Sequence, residues 1–394
     1  MLKKAFYLFV ALTLTLLMTP QKSSAAVLNW EAMVNSTFPA GTHRSPGFDD
    51  PHNLYVTSMA TFNDYLYVAT YNNDQGTEIW RTNNGTAWDQ VNSDGFGIHT
   101  TSASVLAVFN GQLYAFLSVL LDPASTVAAY RTNNGTTWEL AKSNIAPTSP
   151  SRWASTATVY NNALYVGLVN KDDEAIVVGS TNGSTWNQVN PDAFGFPNNI
   201  AIQSMATFNN MLYVGVLNIT DGTQVWHYDG STWNQDNSNG FDGANPDLNI
   251  STGSLSVFEG QLYASTLNDD TGVEVWRTPG DQTWQKVADQ GFSQGNSVDV
   301  TYDSAVFKDA LYVGTFGSKV FRTTNGTTWE QANVDGFGNN DNDVVTFATL
   351  GDYLYAGVGH LRMVGTVEIY RYYQPDPAPE PEPTPELPQT GPIY

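Results

Sequence analysis

The 394-residue chain contains no cysteine. Neither disulfides nor thiolate metal sites can hold it together, so its stability must come from packing. Basic residues are scarce: 16 Lys and Arg stand against 38 Asp and Glu, and three of the lysines, Lys3, Lys4 and Lys22, lie in the first 26 residues. So acidic a surface repels phosphate backbones and anionic lipid, and no nucleic-acid partner is expected. Charged residues make up only 14% while aromatic residues reach 13%, a balance that fits a well-buried β protein and not a disordered acidic one. Sustained helical periodicity is missing throughout. Long apolar runs are missing too, except from Ala5 to Met18. With Lys3 and Lys4 before it and Pro20, Ser23, Ser24, Ala25 and Ala26 after it, that run has the layout of a secretory signal peptide and is short for a membrane span. Residues 1–26 are set aside as signal peptide, and no membrane span is expected in the mature chain as it stands.

Repetition is what the chain has in abundance. A Leu-Tyr pair recurs at Leu66-Tyr67, Leu113-Tyr114, Leu164-Tyr165, Leu212-Tyr213, Leu262-Tyr263, Leu311-Tyr312 and Leu354-Tyr355, at spacings of 47, 51, 48, 50, 49 and 43 residues. Each copy reads as four short strands. In the first, VTSMATF ends at Asn63 and Asp64, LYVATYN follows, NDQG turns, TEIWRT runs on, NNG turns again, and TAWDQVNSD completes the unit. Glycine recurs at the second of these turns (Gly76, Gly222, Gly272, Gly365) and at the third (Gly85, Gly135, Gly183, Gly326), as tight turns at positive φ require. About 50 residues per four antiparallel strands, seven times over, predict an all-β, seven-bladed β-propeller of four-stranded blades spanning residues 27–373. The LYVG-type strands are apolar on both faces, as sheets sandwiched between neighbours must be. Tryptophan at the start of the fourth strand (Trp88, Trp138, Trp186, Trp233, Trp284, Trp329) and near the end of the third (Trp80, Trp226, Trp276) is read as filling between blades.

The segment NWEAMVNSTF, Asn29 to Phe38, aligns with AWDQVNSDGF and TWEQANVDGF, so Trp30 stands where Trp88 and Trp329 stand. The last repeat, from Asp343, stops after TVEIYRYY with no fourth strand of its own. The N-terminal strand is therefore expected to complete the last blade, closing the ring and covering an open sheet edge.

The third-turn segments RTNNGTAW (Arg81 to Trp88), RTNNGTTW (Arg131 to Trp138), GSTNGSTW (Gly179 to Trp186) and RTTNGTTW (Arg322 to Trp329) resemble the Asp-box hairpin, Ser-x-Asp-x-Gly-x-Thr-Trp, of sialidases and related propellers. Asn or Thr stands here in place of the aspartate, the leading serine is often Arg, and RTPGDQTW has lost the glycine position. In those families the box is a structural turn remote from catalysis, so the resemblance implies fold and not activity. A sialidase-like site would need clustered arginines, a Tyr-Glu pair and an acid. Arg81, Arg131, Arg277, Arg322 and Arg371 instead recur one per repeat, as do Glu78, Glu274 and Glu368, and Asp89, Glu139 and Glu330. No catalytic residue is named, and the reading leans away from an enzyme.

Calcium is a candidate cofactor, because LNDDTG (Leu267 to Gly272) and FGNNDNDV (Phe337 to Val344) are oxygen-rich, although turns favour Asx residues in any case. No metal ligands are assigned. The Gly-Phe pairs Gly95-Phe96, Gly240-Phe241, Gly291-Phe292 and Gly336-Phe337 resemble, in that dipeptide only, the Phe-Gly repeats of integrin propellers.

Unrepeated residues gather in the loops joining strand 2 to strand 3 and one repeat to the next, which share one face of a propeller. His43, His52, His99, His360, Arg44, Arg152, Trp153 and Arg362 fall there, in neighbouring blades. His52, His99, Arg152, Trp153, His360 and Arg362 are the candidate ligand-binding residues, suited to a glycan or an anionic group. The plainer reading is that loops collect unrepeated polar residues.

Residues 374–386, QPDPAPEPEPTPE, form a stiff, solvated spacer of about 3.1 Å per residue in the polyproline conformation. Leu387, Pro388, Gln389, Thr390 and Gly391 then resemble the Leu-Pro-x-Thr-Gly sorting signal that sortase cleaves between Thr and Gly to attach proteins to Gram-positive peptidoglycan. Such a signal continues with an apolar span and a basic tail, whereas only Pro392, Ile393 and Tyr394 follow, so residues 387–394 read as a truncated signal. The chain is expected to be secreted, displayed on the cell wall, and to serve as a binding or adhesion module for an extracellular glycan or protein, with sortase and peptidoglycan as partners where the signal is complete. The alternatives are an extracellular glycan hydrolase of sialidase-like fold, or a scaffold without a small ligand.

Overall fold

The computed structural model describes residues 29–35, 44–72, 74–98, 104–119, 126–146, 151–170, 174–243, 249–361 and 366–374. The expected signal peptide, the spacer beyond Gln374 and the LPQTG motif lie outside the described residues.

Local sequence sets the unit. In sheet 1, strands Asn53–Phe62, Tyr65–Asn72, Ile79–Thr82 and Asp89–Gln90 are hydrogen-bonded in chain order, each antiparallel to the last. Asn63 and Asp64, between the first two, both take positive φ (48° and 61°), the backbone that a two-residue hairpin of matching twist demands. At the outer hairpin Thr82 Oγ1 accepts the Gly85 N–H at 2.8 Å, and Asn84 Oδ1 accepts those of Thr86 and Ala87, both at 2.9 Å. The turns before Trp138, Trp186 and Trp329 repeat this pattern.

Sheets 2 (residues 104–142), 3 (151–188) and 5 (301–331) have the same four-stranded order. Sheet 6 joins Val344–Leu350, Tyr353–Gly359 and Glu368–Tyr373 to Trp30–Val34. Residues 201–288 behave differently. Their eight strands form one sheet, sheet 4, joined where Leu217 pairs with Ser251 and the Asn218 N–H donates to the Ile250 carbonyl at 2.8 Å. The expectation of seven separate four-stranded blades is therefore corrected: the described strands make five four-stranded blades and one eight-stranded sheet. The two repeats approach closely at this seam, where a Cβ on Gly215 would lie 2.6 Å from that of Thr252. At other seams single backbone bonds cross without extending the ladder, as from Asn268 N–H to the Asp299 carbonyl (2.8 Å) and from His360 N–H to the Leu54 carbonyl (3.0 Å). The first strands of successive repeats stand side by side around an axis, and Val344–Leu350 packs against Asn53–Phe62 to complete the circuit.

The ends of the ring meet in sheet 6. Trp30 pairs with Tyr372 and Ala32 with Tyr370, the Trp30 indole donates to the Ala332 carbonyl at 3.1 Å, and Met33 and Val34 are wholly buried.

Two stitches recur at the seams. Tyr67, Tyr114, Tyr263 and Tyr355 reach towards the outer turn of the next repeat, at Gly135, Gly183, Gly326 and Gly85: a Cβ on Gly135 would lie 1.8 Å from the Tyr67 hydroxyl, so the turn favours glycine. The other stitch is aromatic. Phe48 stacks on Trp80 (4.7 Å between centroids) and meets Trp88 edge-on (5.2 Å), and Phe194 does the same with Trp226 (4.9 Å) and Trp233 (5.1 Å), as does Phe241 with Trp276 and Trp284. The recurring Gly-Phe pairs and the two tryptophan positions are thus parts of one clamp between neighbouring repeats.

Beneath the clamp lies a buried polar network. Asn53 Nδ2 donates to Glu78 Oε2 (2.6 Å), which also accepts the Trp80 indole N–H (2.7 Å), while Asn53 Oδ1 accepts from Asn72 (3.1 Å). Asn199, Gln224, Trp226 and Asn218 repeat it, as do Asn249, Glu274, Trp276 and Asn268. Those glutamates are spent on structure, since a buried carboxylate is tolerated only when hydrogen-bonded.

Candidate functional site

In every repeat the first strand runs from the face of the 2–3 and 4–1 loops towards the face of the hairpin turns. The start of that strand therefore forms the rim of the central opening on the loop face, and the departures from the repeat collect there. Tyr55 opens sheet 1 and stacks on its cross-strand partner Tyr71 at 4.9 Å. Trp153 holds the corresponding register position in sheet 3, opposite Val169, and is 36% exposed.

A ladder irregularity falls two residues later in several first strands, which frees a side chain from the pleat. Thr57, Ser155, Gln203 and Gly253 occupy this position in sheets 1, 3 and 4. In sheet 5 it is Tyr302. Its phenol is pushed far above the ordinary range, first by burial and then by Asp343, Asp299 and Tyr55 nearby, yet the residue keeps part of its surface accessible, as the lining of an opening does.

The acidic groups of this rim have unequal partners. Asp299 Oδ1 is buried without a hydrogen-bond partner, and burial raises its carboxyl above the usual range, with Asp269 adding to the rise. Asp343 Oδ2 lies 3.1 Å from His360 Nδ1. Asp303, one step deeper, stands where other first strands have Ser58, Thr156, Ser204 and Ser254. Its Oδ2 accepts the Phe347 N–H (2.7 Å) and the Thr346 hydroxyl (3.0 Å), and its Oδ1 accepts the Ser304 N–H (2.8 Å). Burial outweighs these bonds and pushes its carboxyl up to about 6.

The residues singled out from the sequence are divided by the structure. His360 is buried at the rim against Asp343. His52 is exposed, with Nδ1 3.0 Å from Asp50 Oδ1, and Asp50 Oδ2 accepts from Asn72 at 2.9 Å, so it flanks the rim on the sheet 1 side. Trp153 stands on the sheet 3 side. Arg152 belongs to strand Ser151–Tyr160. His99 and Arg362 lie outside the described residues. Sequence reading missed Tyr55, Tyr71, Tyr302, Asp299 and Asp303. The signal was available, because a large or acidic residue at a register position otherwise filled by small polar ones marks a departure that only repeat alignment exposes.

Stacked phenols, an exposed indole and a carboxylate oxygen without a partner can stack on a sugar ring and accept its hydroxyls. The loops considered for calcium use their side chains in turns: Asn268 Oδ1 accepts the N–H groups of Asp270 and Thr271, and Asn339 Oδ1 that of Asp341. Among the described residues no three His, Cys, Asp or Glu side chains form a metal-binding group. No helix among them is long and apolar enough to cross a membrane.

No protein-family model matches the chain, and no curated protein sequence does either. Solved structures do. YCF48 bound to a D1 peptide is similar at a TM-score of 0.57 with 10% identity, covering 89% of this chain and 96% of its own. Polysaccharide lyase Uly1 is similar at 0.52 with 10% identity, covering 89% and 98%. A polysaccharide lyase of family PL25, an ulvan lyase bound to a disaccharide of glucuronic acid and sulfated rhamnose, is similar at 0.51 with 10% identity, covering 85% and 96%. At such identity the likeness establishes a class, the all-β propeller, and nothing narrower.

Proposed function

We propose that the protein is a secreted propeller, tethered to a cell wall through its C-terminal LPQTG segment, that binds an extracellular glycan at the rim of the loop face. The observation that carries this reading is that Gln374 and the aromatic rim lie on opposite faces of the ring. Glu368–Tyr373 runs towards the hairpin face, where Gln374 Nε2 donates to Asp309 Oδ1 at 2.6 Å and its carbonyl accepts from Lys308. The chain therefore leaves the ring on the face opposite Tyr55, Trp153 and Tyr302. A spacer attached there would lift the ring and turn the rim outward.

The aromatic rim favours a glycan over a flat protein surface. Among the similar folds, two act on polysaccharides and one binds a peptide, which keeps a protein ligand as the second reading. The Asp-box resemblance supports this only as a turn that stabilises the scaffold.

The test is a glycan array probed with the full chain, followed by calorimetry on the strongest hit with Tyr55→Ala, Trp153→Ala and Tyr302→Ala. Each variant is expected to weaken binding by about tenfold, the loss of one stacking contact. Wild-type affinity in all three, with unchanged thermal melts, would remove the rim from the account.

A further inference from the structure

The seam between sheets 1 and 2 departs from the others in a way that the scaffold does not require. Three third-strand arginines are held by the glutamate opposite them on the fourth strand: Arg131 Nε donates to Glu139 (2.7 Å), Arg322 Nε to Glu330 (2.7 Å) and Arg371 Nε to Glu31 (2.8 Å). Opposite Arg81 stands Asp89, one methylene shorter. Arg81 Nε is left buried with no partner, the only arginine nitrogen among the described residues in that state. Its guanidinium lies over the Tyr65 ring at 4.3 Å, which holds it in place without satisfying the N–H.

The facing wall repeats the deficit. Fourth-strand indoles elsewhere donate to a backbone carbonyl, as Trp30 does to Ala332 (3.1 Å), Trp88 to Gly85 (2.9 Å) and Trp233 to Val189 (2.8 Å). Trp138 Nε1 has no partner. Trp329 shares that lack, but on its seam Arg277 is bonded to Gln285 and Tyr263. Among the described residues, only between sheets 1 and 2 do an arginine Nε and an indole N–H both lack an acceptor. They line one open groove of about 730 Å³, together with Asp89, Phe96 and Tyr130.

We propose that this groove is a second binding site, independent of the rim, for a saccharide unit bearing a carboxylate. Arg81 lines the groove without the glutamate that holds Arg131, Arg322 and Arg371, and its guanidinium calls for an anionic acceptor, because a charge-assisted bond is among the strongest available. Phe96, Tyr130 and Trp138 supply aromatic surface for the ring that carries the acid, with Trp138 lying edge-on to Phe96 at 5.5 Å. The exposed Asp89 carboxylate stands at the groove wall, where it can accept ring hydroxyls while staying too short to reach Arg81 Nε.

The seam offers its own control. Asp89→Glu installs the pair that already holds Arg131, Arg322 and Arg371, and so should close the site from within while leaving the fold intact. Calorimetry on the full chain would use a β-1,4-linked glucuronic acid hexasaccharide, with cellohexaose as the neutral probe. Binding of the acidic probe is expected, with at least about tenfold weaker binding of cellohexaose and a loss of about tenfold in Asp89→Glu. No binding of the acidic probe, equal binding of the neutral one, or wild-type affinity in an Asp89→Glu protein that melts normally would each overturn the proposal.

Discussion

At Gly135 two demands meet in one residue. The backbone φ is +78°, and the space a Cβ would fill already holds the Tyr67 hydroxyl. Gly97 has nearly the same φ, +76°, but nothing within 4 Å of the Cβ position. Gly97→Ala should therefore cost only the left-handed backbone, about 1 kcal/mol, whereas Gly135→Ala adds overpacking of roughly 1–3 kcal/mol. Denaturant titration of the two variants separates these terms; equal losses would mean that the tyrosine stitch yields freely. Asp303 makes a different kind of statement, about pH. Its carboxyl is raised to about 6 in the fold, mainly by burial, against 3.8 in a free side chain. The folded protein thus holds this proton more tightly than the unfolded chain does, so the contribution of Asp303 is most favourable below about pH 4 and declines as pH rises to about 6. Asp303→Asn removes that decline while keeping an acceptor for the Phe347 N–H. Thermal melts across this interval should show a flatter profile for the variant, and parallel profiles would refute the assignment.

Among the elements, a clamp of one phenylalanine between two aromatic rings joins neighbouring repeats. Phe194 is buried against Trp226 and Trp233 at centroid distances of 4.9 and 5.1 Å. Phe194→Ala should cost roughly 3–5 kcal/mol, read by chemical denaturation, and Phe194→Leu much less because it keeps most of the volume. This clamp was half legible in the sequence. The tryptophans could be read as filler from their period alone, but the Gly-Phe dipeptide offered only a resemblance to the Phe-Gly repeats of integrin propellers, and only the fold reveals its partner in the next repeat. Strand order within each unit was legible because turn residues and alternation are local. The fusion of residues 201–288 was not, since whether Ser251 pairs with Leu217 depends on how closely two repeats approach, and a small residue such as Gly215 also occurs at Gly167 and Gly357 without that result. For the site, His360 and Trp153 stood out as unrepeated residues, while Tyr302 was hidden because a tyrosine looks ordinary until aligned with Thr57, Ser155 and Gln203. Asp89 escaped for the same reason: it was grouped with Glu139 and Glu330 as one repeated acid, when its missing methylene is what matters.

For the whole molecule, the decisive contact is the one that makes the ring finite. Residues Trp30–Val34 cover the outer edge of Glu368–Tyr373, more than 300 positions away along the chain. Without them that strand would present an unpaired backbone edge, and Trp30 could no longer pack on Phe337 (5.2 Å) and Tyr372 (5.7 Å). Met33 and Val34 are fully buried, and each such side chain stabilises by roughly 1.5–3 kcal/mol. Together with Trp30 they amount to a sizeable share of the roughly 5–15 kcal/mol that a folded domain holds in total. Deleting residues 29–35 should therefore lower the melting temperature of the entire ring in one transition, rather than loosen sheet 6 alone, because every repeat leans on the next. Calorimetry reads both quantities at once. A synthetic NWEAMVN peptide added in excess should restore part of the lost stability by refilling the edge, and a truncated ring that melts at the wild-type temperature would show that the circuit holds without its N-terminal strand.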